Sequence, residues 1–299
     1  MGSLDGVVAV ITGAGRGIGR EHALLFAREG AKVIVNDLGG NPDGSGQGSA
    51  AANGVVEEIE QAGGEAAANH ADVSEPAGAQ ALVAAAIATF GHLDVLVNNA
   101  GVLRDRALVN LTEDDWDVVI RVNLRATFLT SQAAARHWRE RHKAGDPLSG
   151  SLINTSSESG VFANAGQANY GAAKSGVATL TQICAKELKR YGARANAVLP
   201  RARTRLTEGI LGAPKSTAVF DRWHPANVSP FVAFLATPGC PFTGETFLVG
   251  GSSIQRVRPW ELDDDWKLEG NGRWTITELM EIGATRGPMS PASGGGLIT

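Results

Sequence analysis

Six short runs rich in β-branched residues recur along this chain: VVAVI (7–11), KVIVN (32–36), LDVLVN (93–98), SLINTS (151–156), ANAVL (195–199) and ETFLVG (245–250). Longer stretches with helical patterning separate them, at 19–28, 49–61, 76–90, 124–143 and 170–191. Thr112 and Asp115 stand at capping-box spacing, which opens another helix. A strand followed by a helix and another strand returns to the same sheet by a crossover, so sustained alternation predicts parallel strands covered on both faces. The expected fold is α/β, a single doubly wound parallel sheet with helices on both faces. In such sheets ligands bind at the carboxyl ends of the strands, where the strand order reverses. Two stretches break the rhythm, a glycine-rich insert at 39–48 and a tail beyond about residue 252.

With 299 residues, 43% of them hydrophobic and 19% charged, the chain can bury one large core. One domain is expected over 1–252, with a C-terminal extension over 253–299. Half of the six tryptophans, Trp260, Trp266 and Trp274, lie in that extension. Such aromatic content predicts that it packs on the domain or on a neighbouring subunit, with only the last residues disordered. A net charge of −4 argues against a nucleic-acid partner. No apolar run approaches the ~18 residues of a membrane span. The run at 7–11 is too short for a signal peptide and follows Asp5 with no basic start, so a cytoplasmic protein is expected. Cys184 and Cys240 are the only cysteines, without a CxxC pair or clustered histidines. Buried free thiols are expected, with neither a disulfide nor a metal site.

The chemistry is concentrated in NTSSESGVFANAGQANYGAAK. Ser157 stands thirteen positions before Tyr170, and Lys174 four positions after it. Four residues along a helix bring two side chains to the same face, one above the other. An ordinary tyrosine has a pKa of about 10, so drawing it toward 7 takes roughly 4 kcal/mol. A cation about 4 Å away at an effective dielectric of about 20 supplies about that much. Lys174 is therefore expected to make Tyr170 a proton-transfer group at neutral pH, with the Ser157 hydroxyl steadying the reacting oxygen. A tyrosine and a lysine four apart are more often a packed ring and a solvated amine. Their neighbours in the chain decide between the two.

One such neighbour is Thr12-Gly13-Ala14-Gly15-Arg16-Gly17-Ile18-Gly19, between the first strand run and the first helix. The spacing Gly13, Gly17, Gly19 departs from GxGxxG but follows the same logic. Glycines allow a tight turn and close backbone approach, and the helix N-terminus faces a pyrophosphate. Asp37 ends the second strand eighteen residues after Gly19, where a carboxylate accepts from ribose hydroxyls and repels a 2′-phosphate. NAD is expected over NADP, although Arg16 is a nearby cation that softens the preference.

Taken together, TGAGRGIG (12–19), Asp72-Val73, Asn98-Asn99-Ala100-Gly101, Asn123, Ser157 and Tyr170-x-x-x-Lys174 resemble the short-chain dehydrogenase/reductase family over about residues 5–252. That resemblance implies a Rossmann-type fold and a homo-oligomer, a tetramer or dimer. It also implies a catalytic set of Asn123, Ser157, Tyr170 and Lys174. Tyr170 would be the general acid/base, Ser157 would hold the substrate oxygen, and Lys174 would also bind the nicotinamide ribose. Asn123 would kink its helix and hold a water leading to Lys174. Asp72 and Val73 would contact adenine, and Asn99, Ala100 and Gly101 would line the cofactor cleft. With Gly13, Arg16, Gly17, Ile18, Gly19, Asp37, Leu38, Tyr170, Lys174, Pro200 and Thr204 they complete the implied cofactor set. The insert NDLGGNPDGSGQGS resembles the cofactor loop in the dehydrogenase region of peroxisomal multifunctional enzymes, which oxidise 3-hydroxyacyl-CoA with NAD. GQANYGAAKSG is shared with that group and with 3-oxoacyl-acyl-carrier-protein reductases.

One stretch departs from the family. Most members have Pro-Gly after the sixth strand, whereas this chain has Pro200-Arg201-Ala202-Arg203-Thr204-Arg205. The three arginines suit a substrate carboxylate or CoA phosphates, or else pair with acids such as Asp263, Asp264 and Asp265. Residues 205–225 are expected to form a substrate lid, in which Leu206, Ile210, Leu211, Phe220 and Trp223 line an apolar pocket or pack the loop down. The expected activity is NAD-dependent hydride exchange with a secondary alcohol or ketone, led by 3-hydroxyacyl and 3-oxoacyl thioesters and followed by steroid-like lipophilic alcohols. Two alternatives stand beside it. One is a non-catalytic NAD(H)-binding sensor or scaffold of the same fold. The other is a sugar-nucleotide epimerase, disfavoured by the GxxxGxG spacing and the short substrate region.

Overall fold

The computed structural model describes residues 2–207, 211–212, 220–258, 261–262, 267–269 and 272–286. Eight strands form one sheet: β1 (Val8–Thr12), β2 (Lys32–Asn36), β3 (Glu65–Asn69), β4 (Val95–Asn98), β5 (Gly150–Thr155), β6 (Ala193–Arg201), β7 (Thr246–Gly250) and β8 (Ser253–Val257). Their spatial order is β3-β2-β1-β4-β5-β6-β7-β8. β1 pairs in parallel with both β2 and β4, so the chain reverses its winding there. The carboxyl end of β1 is therefore where a ligand crevice is expected.

Among the described residues the α-helices are α1 (Gly17–Arg28), α2 (Ala50–Gln61), α3 (Pro76–Phe90), α4 (Glu113–Ile120), α5 (Ala126–Ala144), α6 (Glu158–Phe162), α7 (Ala168–Leu188), α8 (Ser229–Ala236) and α9 (Ile276–Arg286). Alternate side chains of the central strands enter opposite layers, as a period of two requires. Ala9, Ile11, Val33, Val35, Val95 and Val97 join the layer that includes Phe26 of α1 and Leu235 of α8. Val8, Val10, Ile34 and Leu96 join the layer with Leu82 of α3, Trp138 of α5 and Leu188 of α7. Both faces are buried, which is why these strands read as continuous apolar runs. The capping box forms: Thr112 Oγ1 accepts from Asp115 N at 3.1 Å, and Asp115 Oδ2 accepts from Thr112 N at 3.4 Å. No helix among the described residues is long and apolar enough to cross a membrane.

Two strands lie outside the sequence expectation. β3 is Glu-Ala-Ala-Ala-Asn, with no β-branched residue; it pairs in parallel with β2 from Lys32↔Glu65 to Asn36↔Asn69. Its strand conformation comes from that edge, since alanine favours a helix. β8 makes the sheet mixed, because it returns antiparallel to β7 through the two-residue loop Gly251-Ser252, with Gly251 at φ +57°. The sheet thus extends to Val257, past residue 252. In the extension, Trp260 and Trp266 lie outside the described residues, while Ile276 and Met280 of α9 are exposed.

Trp138 is fully buried, and its Nε1 donates to the Leu93 carbonyl at 2.9 Å, tying α5 to the start of β4. Trp138→Ala is expected to cost about 3–5 kcal/mol in urea unfolding, from lost burial and the cavity left behind. A loss below about 1 kcal/mol would show that this layer does not depend on the ring.

Candidate active site

A cavity of about 480 Å³ runs across the carboxyl ends of β3, β2, β1, β4, β5 and β6. The turn after β1 forms one wall, where Gly13 and Gly17 hold φ of +62° and +55°, a region L side chains rarely adopt. A Cβ on Gly13 would stand 2.8 Å from Ala100 Cα, and one on Gly19 would stand 2.3 Å from the Gly13 carbonyl oxygen. Four of the predicted residues, Gly13, Arg16, Gly17 and Ile18, line the cavity, while Gly19 supports the turn from behind. Thr12 Oγ1 accepts from Asn99 N at 3.0 Å and Ala100 N at 3.1 Å. Asn99 Nδ2 in turn donates to the carbonyls of Thr12 and Gly13 at 3.0 and 3.2 Å. The turns after β1 and β4 are thereby fastened together, with Asn99, Ala100 and Gly101 on the cavity surface.

Toward β2 and β3, Asp37, Leu38, Asp72 and Val73 line the same cavity. Asp37 Oδ2 accepts from Gly15 N at 2.8 Å, and Oδ1 accepts from Gly39 N at 2.7 Å. Two backbone donors therefore orient the carboxylate and bind it to the glycine turn. Asp72 Oδ1 accepts from the backbone and hydroxyl of Ser74 at 2.9 and 2.6 Å. The insert crosses this end: Leu103 N donates to the Pro42 carbonyl at 3.1 Å and Arg104 Nε to that of Asp43 at 2.8 Å.

At the other end Ser157, Tyr170, Lys174, Pro200 and Thr204 face the cavity. Ser157 caps α6, accepting from Ser159 N at 3.2 Å. Tyr170 and Lys174 share a face of α7, with Lys174 Nζ 5.5 Å from the Tyr170 ring centre and donating to the Thr155 carbonyl at 2.8 Å. Asn123 lies behind them in a π-helical turn, Arg121–Arg125, that interrupts the path from α4 to α5. Its Nδ2 donates to the carbonyls of Val102 and Val119, both at 3.0 Å. Its Oδ1 is buried without a hydrogen-bond partner among the described residues. A Cβ on Gly101 would come within 2.7 Å of that oxygen and 3.7 Å of Lys174 Nζ. Asn123 and Lys174 thus flank one glycine.

Electrostatics correct one expectation. Burial pushes the Tyr170 phenol up to about 12, with the Ser157 hydroxyl opposing the rise and the Asp105 carboxylate adding to it. Burial also pulls Lys174 down to about 8. The lysine therefore does not by itself bring the phenol toward neutrality, because removal from water outweighs a cation poised over the ring.

In the arginine cluster, Arg201 and Arg203 take the pairing alternative, with acids other than those at 263–265. Arg201 pairs with Glu158 and Arg203 with Asp221, leaving neither as a ready anion anchor. The alternative partners Asp263, Asp264 and Asp265 lie outside the described residues. Arg205 lines the cavity and reaches the Gly40 carbonyl at 3.5 Å. Of the apolar lid residues, Leu206 lines the cavity, whereas Leu211, Phe220 and Trp223 do not; Ile210 is outside the described residues.

Asp105 and Gln167 were not singled out in the sequence, yet both line the cavity, and Gln167 Nε2 donates to Asp105 Oδ2 at 2.7 Å. Their available signal was position: Asp105 follows the turn after β4, and Gln167 immediately precedes α7. Burial raises the Asp105 carboxyl above its usual range, against the pull of Gln167.

Because the folded pKa of Lys174 lies below its unfolded value, the native state binds fewer protons between about pH 8 and 10.5. Its contribution to stability therefore rises with pH in that window. Relative to Lys174→Met, wild-type stability is expected to gain up to roughly 1.4 kcal/mol per unit from pH 8 to 10, measured by urea unfolding. A difference independent of pH would mean that Lys174 is not held below its usual range.

The model of the short chain dehydrogenase family matches residues 7–209. The hydroxyacyl-CoA dehydrogenase ChsB1 of Mycobacterium tuberculosis is 42% identical over 285 residues, covering 92% of this chain and 87% of that protein. The peroxisomal multifunctional enzyme type 2 of Drosophila melanogaster is 45% identical over 240 residues, covering 80% of this chain and 38% of that longer protein. A crystal structure of a short chain dehydrogenase from Mycobacterium avium superposes with a TM-score of 0.85 at 44% identity, covering 95% of both chains. With its switch-point cavity and this family match, the chain is a member of the short-chain dehydrogenase/reductase family.

Proposed function

We propose that this dehydrogenase exchanges hydride between NAD(H) and a secondary alcohol or ketone, with 3-hydroxyacyl and 3-oxoacyl thioesters as its leading substrates. The observation that carries the reading is the convergence of Ser157, Tyr170 and Lys174 on the cavity that also contains the glycine turn. Similarity to a protein named hydroxyacyl-CoA dehydrogenase supports the thioester. A sensor that only bound dinucleotide would have no use for an acid/base pair at this place.

The residues fit a dinucleotide. Gly17 directs the space of its missing side chain into the cavity, where an added Cβ would meet only Thr204 Cγ2 and Cβ, at 3.6 and 3.8 Å. The N-terminus of α1 suits a pyrophosphate. Asp37, already oriented by two backbone donors, keeps acceptor capacity for ribose hydroxyls and opposes a 2′-phosphate, which favours NAD over NADP. Asp72 and Val73 suit the adenine end, Asn99 to Gly101 the floor, and Pro200 and Thr204 the carboxamide end. A bound nicotinamide would supply the hydride donor or acceptor.

Tyr170 moves the proton at the substrate oxygen, and Ser157 holds that oxygen through its hydroxyl. A phenol at about 12 is fully protonated at neutral pH, as ketone reduction needs. Alcohol oxidation needs added positive charge beside the phenol. Lys174, drawn down to about 8 by burial, still favours its ammonium at pH 7 and would supply part of it. Asn123, flanking the same glycine as Lys174, would hold a water leading to that ammonium. We further assign the chain to a homo-oligomer in which the exposed apolar residues of α9 meet a neighbouring copy. A reducing compartment such as the cytosol suits the free Cys184 and Cys240.

Tyr170→Phe is expected to lower turnover by about 10²–10⁴-fold, the usual worth of a positioned acid/base. NADH binding, read by fluorescence titration, should stay within about threefold, since the ring remains. Near-normal turnover in this variant would contradict the mechanism.

A further inference from the structure

The residue that follows Ser157 is a buried carboxylate paired from the neighbouring strand β6. Glu158 is 5% exposed, and its Oε2 and Oε1 accept from Arg201 Nε at 2.8 Å and Nη2 at 2.5 Å. Neither residue belongs to the motifs that define the site. Arg201 ends β6 opposite Gly250 of β7. A Cβ on Gly250 would stand 2.5 Å from Arg201 Cβ, so the glycine gives the arginine room.

α6 has only five residues, too few to hold its own place. Two supports fix it. On the α7 side, Ser156 Oγ donates to the Lys174 carbonyl at 2.7 Å, and a Cβ on Gly160 would stand 2.5 Å from the Lys174 carbonyl carbon. On the β6 side the support is the two-pronged Arg201 contact, a geometry that constrains direction as well as distance. Ser157 lies between them and accepts at both its hydroxyl, from Ser159 N at 3.2 Å, and its carbonyl, from Gly160 N at 3.0 Å.

Charge points the same way. Charged groups lining the cavity with Tyr170 are Lys174 on its own helix, Asp105 after β4, Glu158 on α6 and Arg205 after β6 at this end, with Arg16, Asp37, Asp72 and Arg121 along the rest, and the group facing Glu158 is Arg201 from β6. An unpaired Glu158 would add a second carboxylate to the cavity that holds a phenol Asp105 already opposes.

We propose that Arg201 is a positioning residue: through its fork on Glu158 it fixes the backbone of Ser157 and cancels the carboxylate charge next to the serine. This rests on the reading of Ser157 as the partner of the substrate oxygen.

The test compares Arg201→Ala, Glu158→Ala and the double variant by hydrogen–deuterium exchange and by kcat against pH, with thermal unfolding to establish that each is folded. Exchange in the peptide covering 156–163 is expected to rise at least about tenfold in Arg201→Ala and in the double variant. In both, kcat should fall at least about tenfold with KM for NAD unchanged within about twofold. Only Arg201→Ala, which keeps an uncompensated carboxylate, should also shift its oxidation profile to higher pH, because negative charge raises the phenol. Unchanged exchange in Arg201→Ala, or wild-type kcat in the double variant, overturns the proposal. Faster exchange in the variants of a wild-type protein that turns over no alcohol would instead overturn the dehydrogenase reading and leave the pinning of residue 157 standing.

Discussion

Two turns fastened to each other set the geometry on which the site depends. Asn99 and Ala100 donate four hydrogen bonds from the carboxyl end of β4 to Thr12 and Gly13 at the carboxyl end of β1, and Gly13 lies so close to Ala100 that a methyl group would collide. These strands flank the place where winding reverses, so the crevice opens there by topology. The fastening fixes where α1 begins and therefore where its unpaired N–H groups point. Asp37 extends the same framework toward β2 through Gly15.

The catalytic end is held by a different compromise. Lys174 is buried and Tyr170 half-buried, which pushes each toward its neutral form and works against the phenolate. What shielding provides is electrostatic reach, since a charge brought beside these groups acts through a low dielectric. On the proposed mechanism the free protein would serve as a proton donor, and oxidation would draw on charge that arrives with the ligand. The same logic gives weight to the buried Glu158–Arg201 pair, because an uncompensated carboxylate would act with equal reach.

Much of this could be read from the sequence because the signals were local. Strands buried on both faces carried continuous apolar runs, the capping box was a four-residue pattern, and the tyrosine and lysine were four apart on one helix. β3 escaped because Glu-Ala-Ala-Ala-Asn has no strand preference of its own and borrows its conformation from β2. β8 escaped because four of its five residues are exposed, so it lacks an apolar face. The partners of Arg201 and Arg203 are 43 and 18 positions away, and no local pattern announces contacts at that range. The direction of the Tyr170 shift is hidden for the same reason: a four-residue spacing shows the neighbouring cation but not the loss of water around both groups.

The most direct test mixes the protein with a 3-hydroxyacyl-CoA and follows absorbance at 340 nm with NAD and, separately, with NADP. Absorbance should rise with NAD and at least about tenfold more slowly with NADP, as the Asp37 carboxylate requires. Equal rates with the two cofactors would contradict the role given to Asp37. No rise with either, while a steroid alcohol is oxidised, would contradict the thioester assignment.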